Sequence, residues 1–173
     1  MLVDAVADDN SGVGRMAEYS AIAVQTVNPG ETIVFTETTS PCRRGLVRHS
    51  DGSGNFLLNG WVPNSGCCCC NNASATYLVD FGANIAIPEG GTPAGTPGEI
   101  SVAFALDGGT DQASIMRVTP AALGEYFNVS RSKEVEIFSN CCQTITIRNT
   151  SDQPIVVQNA TLRITRPDLL YSR

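Results

Sequence analysis

Strict alternation of apolar and polar residues is the feature that most restricts what this chain can fold into. Across 77–87 the odd positions are Tyr77, Val79, Phe81, Ala83, Ile85 and Ile87, and the even ones include Asp80, Gly82 and Asn84. Ile100, Val102, Phe104 and Leu106 make one apolar row opposite Ser101, Ala103 and Ala105. Thr144–Arg148 and Ala160–Thr165 repeat the pattern with Thr and Arg outward. Successive side chains of a strand point to opposite faces, so this period writes antiparallel strands. Each strand then has one face for a core and one for water or a partner.

The breaks fall where turn chemistry places them. Asn28-Pro29-Gly30, Asp51-Gly52, Pro88–Gly91, Asp107–Gly109 and Ser151–Pro154 supply positive φ or a preset φ. The spacing predicts strands near 18–26, 31–37, 45–49, 54–60, 75–87, 99–107, 112–119, 126–138, 143–149 and 155–166. Only Pro120–Gly124 reads as a helical turn. About ten strands at this spacing make an antiparallel jelly-roll sandwich. With 173 residues, 42% of them hydrophobic, the chain suits one domain. Residues 1–15 stand apart as an extended arm, small and acidic, without a period beyond Leu2, Val3 and Val6, its expected anchors, and residues 16–173 form the domain.

Charge excludes some functions. The formal net charge is −6 and the 11 basic residues are scattered. Arg43, Arg44 and Arg48 form the only local basic cluster and read as a solvated loop, so nucleic acid is not an expected partner. The N-terminus lacks a basic segment followed by an apolar run, and no stretch has the length to cross a bilayer. Synthesis in a cytoplasm without a membrane partner is the expectation. On that expectation the sequons at Asn72, Asn128, Asn149 and Asn159 are chance occurrences.

The order of elements resembles a known family. Tyr77–Phe81, Gly98–Asp107, a long strand ending Val135–Phe138, Thr144–Arg148 and Ala160–Pro167 follow one another as in the tumour necrosis factor and complement-head jelly rolls. The pattern, over residues 18–167, is also similar to the C-terminal domains of bacterial collagen-like spore-surface glycoproteins, though no Gly-X-Y stalk is present. The resemblance implies a homotrimer packed about a threefold axis. Outward Ala and Thr positions permit flat packing against a neighbour, and closed cyclic symmetry is the usual mode of self-assembly.

Catalysis has no visible residues. The single histidine, His49, lies beside the Asp51-Gly52 turn, where an exposed histidine is ordinary. Asp80, Glu99, Asp107, Asp111, Glu125, Glu134 and Glu136 fall mostly on solvent faces or in turns and do not converge. No glycine-rich loop leads from a strand into a helix, and no cofactor is expected.

The seven cysteines are the anomaly: Cys42, the run Cys67, Cys68, Cys69 and Cys70, and the pair Cys141 and Cys142. Adjacent cysteines strain a mutual disulfide, and the run lacks the gaps of a zinc hairpin. In a jelly roll the loop before the Tyr77 strand lies at the same end as the 139–142 loop and the turn at Asp107–Thr110. Three readings stay open there: disulfides stapling the loops, each worth about 2–4 kcal/mol; thiolates holding a metal shared across the threefold axis; or reduced thiols packed in a tight loop. Disulfides and buried thiols rank ahead of metal, a cytoplasmic origin argues against disulfides, and Cys42 is the candidate for the odd thiol. Trp61, Phe56, Leu57 and Leu58 read as core beneath a long loop rather than a ligand-binding tip. Gly90–Gly98 reads as an adaptable loop at the opposite end.

Terminal residues are ordered only when something holds them, so the arm is expected to dock on a partner. With Met1, no signal and a trimer-like fold, the leading expectation is a bacteriophage structural protein. It would be a capsid decoration or head-fibre protein, bound through its arm to the major capsid protein or another virion component and displayed on the virion surface. The alternative is a spore- or cell-surface adhesin binding a glycan or receptor. An enzyme on a jelly roll, such as a cupin, would need a histidine-rich metal site.

Overall fold

The computed structural model describes residues 15–42, 45–62, 73–90, 95–139 and 141–167. The strands are β1 (Met16–Ala21), β2 (Gln25–Val27), β3 (Glu37–Ser40), β4 (Val47–His49), β5 (Phe56–Asn59), β6 (Ser74–Ala86), β7 (Ile100–Leu106), β8 (Gly109–Thr110), β9 (Met116–Val118), β10 (Phe127–Phe138), β11 (Cys142–Asn149) and β12 (Ile155–Thr165). All pair antiparallel. One sheet runs β10-β6-β12-β1-β3, with β2 also on β12, and the other runs β4-β5-β11-β7-β8, with β9 also on β7. The sandwich read from the alternation is present.

The odd positions of β6 face the other sheet, with Tyr77, Val79 and Ile85 fully buried. Phe81 meets Phe104 of the opposite sheet with ring centroids 6.4 Å apart, and Tyr19 meets Phe56 at 4.7 Å. Each such side chain removed from water contributes roughly 1.5–3 kcal/mol. This two-layer core needs no helix to close it.

Four details depart from the sequence reading. The expected strand 18–26 breaks into β1 and β2, and 31–37 is reduced to isolated bridges at Thr32 and Phe35 before β3 begins. The expected strand 112–119 opens with a 3-10 turn at Gln112–Ser114, because the Asp111 side chain accepts from the Ala113 N–H and caps the turn. Pro120–Gly124 makes a turn but no helix; Gly124 adopts φ 70° and donates its N–H to the Ile87 carbonyl. β12 contains a bulge: Asn159 has φ 53° and the register with β6 shifts between Gln158 and Thr161. Ile155 and Val157 are buried at odd positions before it, Ala160, Leu162 and Ile164 at even positions after it. The extra residue keeps both halves of the strand facing the core.

β7 also differs. Its expected outer row, Ser101, Ala103 and Ala105, is buried along with the inner one. Ala103 and Ala105 stand opposite Arg148 and Thr146 of β11, and Ser101 opposite Arg117 of β9.

Candidate functional site

The domain has two unlike ends. At one, β6 begins and β10 finishes, with Ser74 opposite Phe138, and β5 ends where β11 starts, with Asn59 opposite Cys142. Ser139 donates its N–H to the Ala73 carbonyl, Gly60 to that of Cys141, and Asp107 to that of Thr144. Gly60 has no room for a side chain, since a Cβ there would lie 2.3 Å from the Phe138 carbonyl oxygen. The two boundaries of the 63–72 segment, the 139–142 loop and the Asp107 turn therefore gather at one end, as the sequence reading placed them. Cys141 and Cys142 are exposed thiols. Cys67, Cys68, Cys69 and Cys70 lie outside the described residues, as do Leu2, Val3, Val6, Arg43 and Arg44.

Cys42 belongs to this end as well. It is half-buried against the core and close enough to Tyr19 and Tyr77 to influence both electrostatically. Burial comes first for both phenols: it pushes Tyr19 up to about 12 and raises Tyr77 above its ordinary value. The Tyr77 hydroxyl lies 3.0 Å from the Leu46 carbonyl oxygen and 2.5 Å from that of Asn59.

Arg166 completes the cluster and carried no sequence signal. Its side chain is 1% exposed, its guanidinium lies 5.0 Å from the Tyr77 ring centre, and Nη1 donates to the Trp61 carbonyl. Its backbone N–H donates to the Arg15 carbonyl, so the chain enters and leaves the sandwich side by side at the cysteine end. Phe56 and Leu58 are core, as expected, but Trp61 is 47% exposed at this end together with Phe138.

His49 is not the exposed turn residue expected. It is half-buried, stacked on Phe56 at 4.3 Å and edge-on to Tyr19 at 4.8 Å, with its ring nitrogens 3.1 Å from the Asn55 carbonyl and 3.3 Å from that of Phe35. Both nitrogens face main-chain oxygens, which gives the ring a packing role. Among the described residues no three His, Cys, Asp or Glu side chains gather as a metal would require.

Two faces remain. Outward on the first sheet, the register places Ser130, Gly82, Thr161 and Ser20 in one row and Ser132, Asp80, Arg163 and Glu18 in the next. A third row holds Glu134, Leu78, Thr165 and Met16. The middle row is internally paired: Ser132 donates to Asp80, and Arg163 lies 3.8 Å from Glu18. The upper row is flat because Gly82 and three hydroxyl side chains form it. On the second sheet, Arg148 of β11 stands opposite Ala103 of β7 and Arg117 of β9 opposite Ser101. Arg148 donates Nη1 to the Gly108 carbonyl, reaching past the row of Ala105 and Thr146.

No family model matches the sequence, and no curated protein does. Solved structures do match in fold. The Eiger tumour necrosis factor from S. frugiperda superposes with a TM-score of 0.60 at 8% identity, covering 88% of this chain and 91% of its own. The globular domain of the zebrafish complement 1qA protein gives 0.50 at 8% identity, with 88% and 96% covered. This chain has the jelly-roll fold of tumour necrosis factor and the complement head.

Proposed function

We propose that this chain is a homotrimeric structural protein of a bacteriophage particle, a capsid decoration or head-fibre protein that binds and displays rather than catalyses. The observation that carries the reading is the polarity of the domain. Arg15 and Arg166 sit side by side at the cysteine end, while Pro88–Gly90, Gly95–Gly98 and Ser151–Pro154 turn at the other. A domain held from its first end presents the second. The residue 1–15 arm supplies the hold, with Leu2, Val3 and Val6 as apolar contacts to the major capsid protein or another virion component.

The flat outward face of the first sheet supports threefold packing. Short hydroxyl side chains and Gly82 let a neighbour approach closely, and Leu78, 36% exposed, gives that face an apolar point to cover. Self-association, virion-surface location and synthesis in the host cytoplasm belong to this proposal.

The test deletes residues 2–14 and measures mass in solution and occupancy on particles. Loss of particle binding by an intact trimer is the expected result. Unchanged occupancy overturns anchoring by the arm and shifts the reading to a spore- or cell-surface display domain. A monomer from the undeleted chain overturns threefold assembly.

A further inference from the structure

On the outer face of the second sheet lies a depression of about 490 Å3, lined by Glu99, Ser101, Gln112, Arg117, Arg148 and Thr150 among others. Ile115 is the one large apolar side chain in the lining. Ser101 on β7 gives the depression a small residue, with Arg117 opposite it on β9 and Arg148 on β11.

Its polar groups are unevenly satisfied. Ser101 and Thr150 share a hydroxyl–hydroxyl bond of 2.8 Å, and Ser151 Oγ accepts from the Ser101 N–H. Arg117 lies 3.5 Å from Glu99. Arg148, in contrast, pairs with no carboxylate among the described residues. Its Nη1 donates to the Gly108 carbonyl, while its Nε is buried without a partner. A half-buried guanidinium without a counter-charge calls for negatively charged oxygen.

We propose that this depression binds the carboxylate of an acidic sugar, with Arg148 as its charge partner. The rest of the wall decides between a sugar and other carboxylates. Hydroxyl, amide and carboxylate groups dominate it, and these match a ligand dense in hydroxyls. A peptide or lipid would leave them unpaired and find only Ile115 to bury against. Glu99 and Gln112 accept from sugar hydroxyls, and Glu99 holds Arg117 in place. The site is independent of the arm and of the threefold reading, and it stands if either fails.

Calorimetric titration of the full chain with glucuronate, glucose and acetate tests it, alongside Arg148→Gln and Arg117→Gln. Glucuronate is expected to bind with a dissociation constant on the order of 1 mM, and glucose and acetate about tenfold more weakly or worse. Arg148→Gln should weaken glucuronate by about tenfold or more, with the melting curve confirming a folded protein. Acetate matching glucuronate means an adventitious ion only and overturns the proposal, as does the absence of glucuronate binding or an unaffected Arg148→Gln. If Arg148→Gln does not fold, Arg117→Gln decides: weaker glucuronate binding supports the site, and unchanged binding overturns it.

Discussion

The ammonium of Lys133, the only lysine in the chain, lies 2.6 Å from the Asp111 carboxylate. Lys133 shares the core-facing side of β10 with Val129 and Val135, yet β10 is the edge of its sheet. Asp111 sits in the excursion between β8 and β9 of the other sheet. The pair therefore joins the two layers where the sandwich is open. A charge pointing inward from an edge strand also discourages further strand addition.

The hydrogen bond from Lys133 is the first cause holding the Asp111 carboxyl below its ordinary value, with the charges of Lys133 and Arg131 adding to it. A carboxylate whose folded value is depressed contributes stability above its unfolded value and loses it as pH falls through the folded one. Wild-type protein should thus lose stability as the medium is acidified below about pH 4, and Asp111→Asn should show a shallower loss there and lower stability at pH 7. Chemical denaturation across that range checks it; superimposable pH profiles for the two proteins would remove the pair from the account.

This pair marks where sequence reading stops. Alternation exposed the long strands because burial of one face repeats every second residue, and β6, β10 and β11 lie within one or two residues of expectation. The same alternation hid the bulge at Asn159, where apolar positions change parity within one strand. It also hid Arg166, since a charged residue after a strand reads as solvated until Tyr77 and Trp61 are seen around it. Of the candidate sites, the shared end of the 139–142 loop and the Asp107 turn was legible from strand order, while Cys67–Cys70 lie outside the described residues. The Arg148 depression was not, because it depends on which short residue of β7 stands opposite which arginine.

Asn159 offers a second prediction. Asparagine tolerates the left-handed region better than other non-glycine residues, and a β-branched side chain there is strained. Asn159→Gly should be neutral or slightly stabilising, while Asn159→Val should cost about 1–3 kcal/mol. Deleting Asn159 should be far worse, since it turns either Ile155 and Val157 or Leu162 and Ile164 away from the core. Urea unfolding of the three variants ranks them, and a deletion as stable as wild type would refute the parity account.

The Arg166 and Tyr77 contact predicts that lysine is no substitute. The guanidinium lies over the ring and donates to the Trp61 carbonyl, geometry that a point-charge ammonium does not reproduce. Arg166→Lys should destabilise the domain by about 1–3 kcal/mol, and Tyr77→Phe by a similar amount through loss of its buried hydroxyl's hydrogen bonding to the Asn59 and Leu46 carbonyls. Because they share one cluster, the double variant should cost less than the sum of the two. Strict additivity in thermal or denaturant unfolding would show that the groups act separately.

Tyr19 sets the alkaline limit. Burial pushes its hydroxyl up to about 12, with the negative charges of Cys42 and Asp51 adding to the shift, against an unfolded value of 10.0. Between these values the unfolded chain releases a proton that the folded one retains, so stability is complete below pH 10 and falls as pH rises towards 12. Two pH units of such linkage amount to about 2–3 kcal/mol. Tyr77, also raised, adds loss in the same direction. Tyr19→Phe keeps the ring against Phe56 and His49 and removes the titrating group, so its stability should decline less steeply above pH 10. Tyrosinate absorbance recorded with unfolding separates the causes: ionisation of Tyr19 should coincide with loss of structure, and titration near pH 10 in the intact fold would contradict its burial.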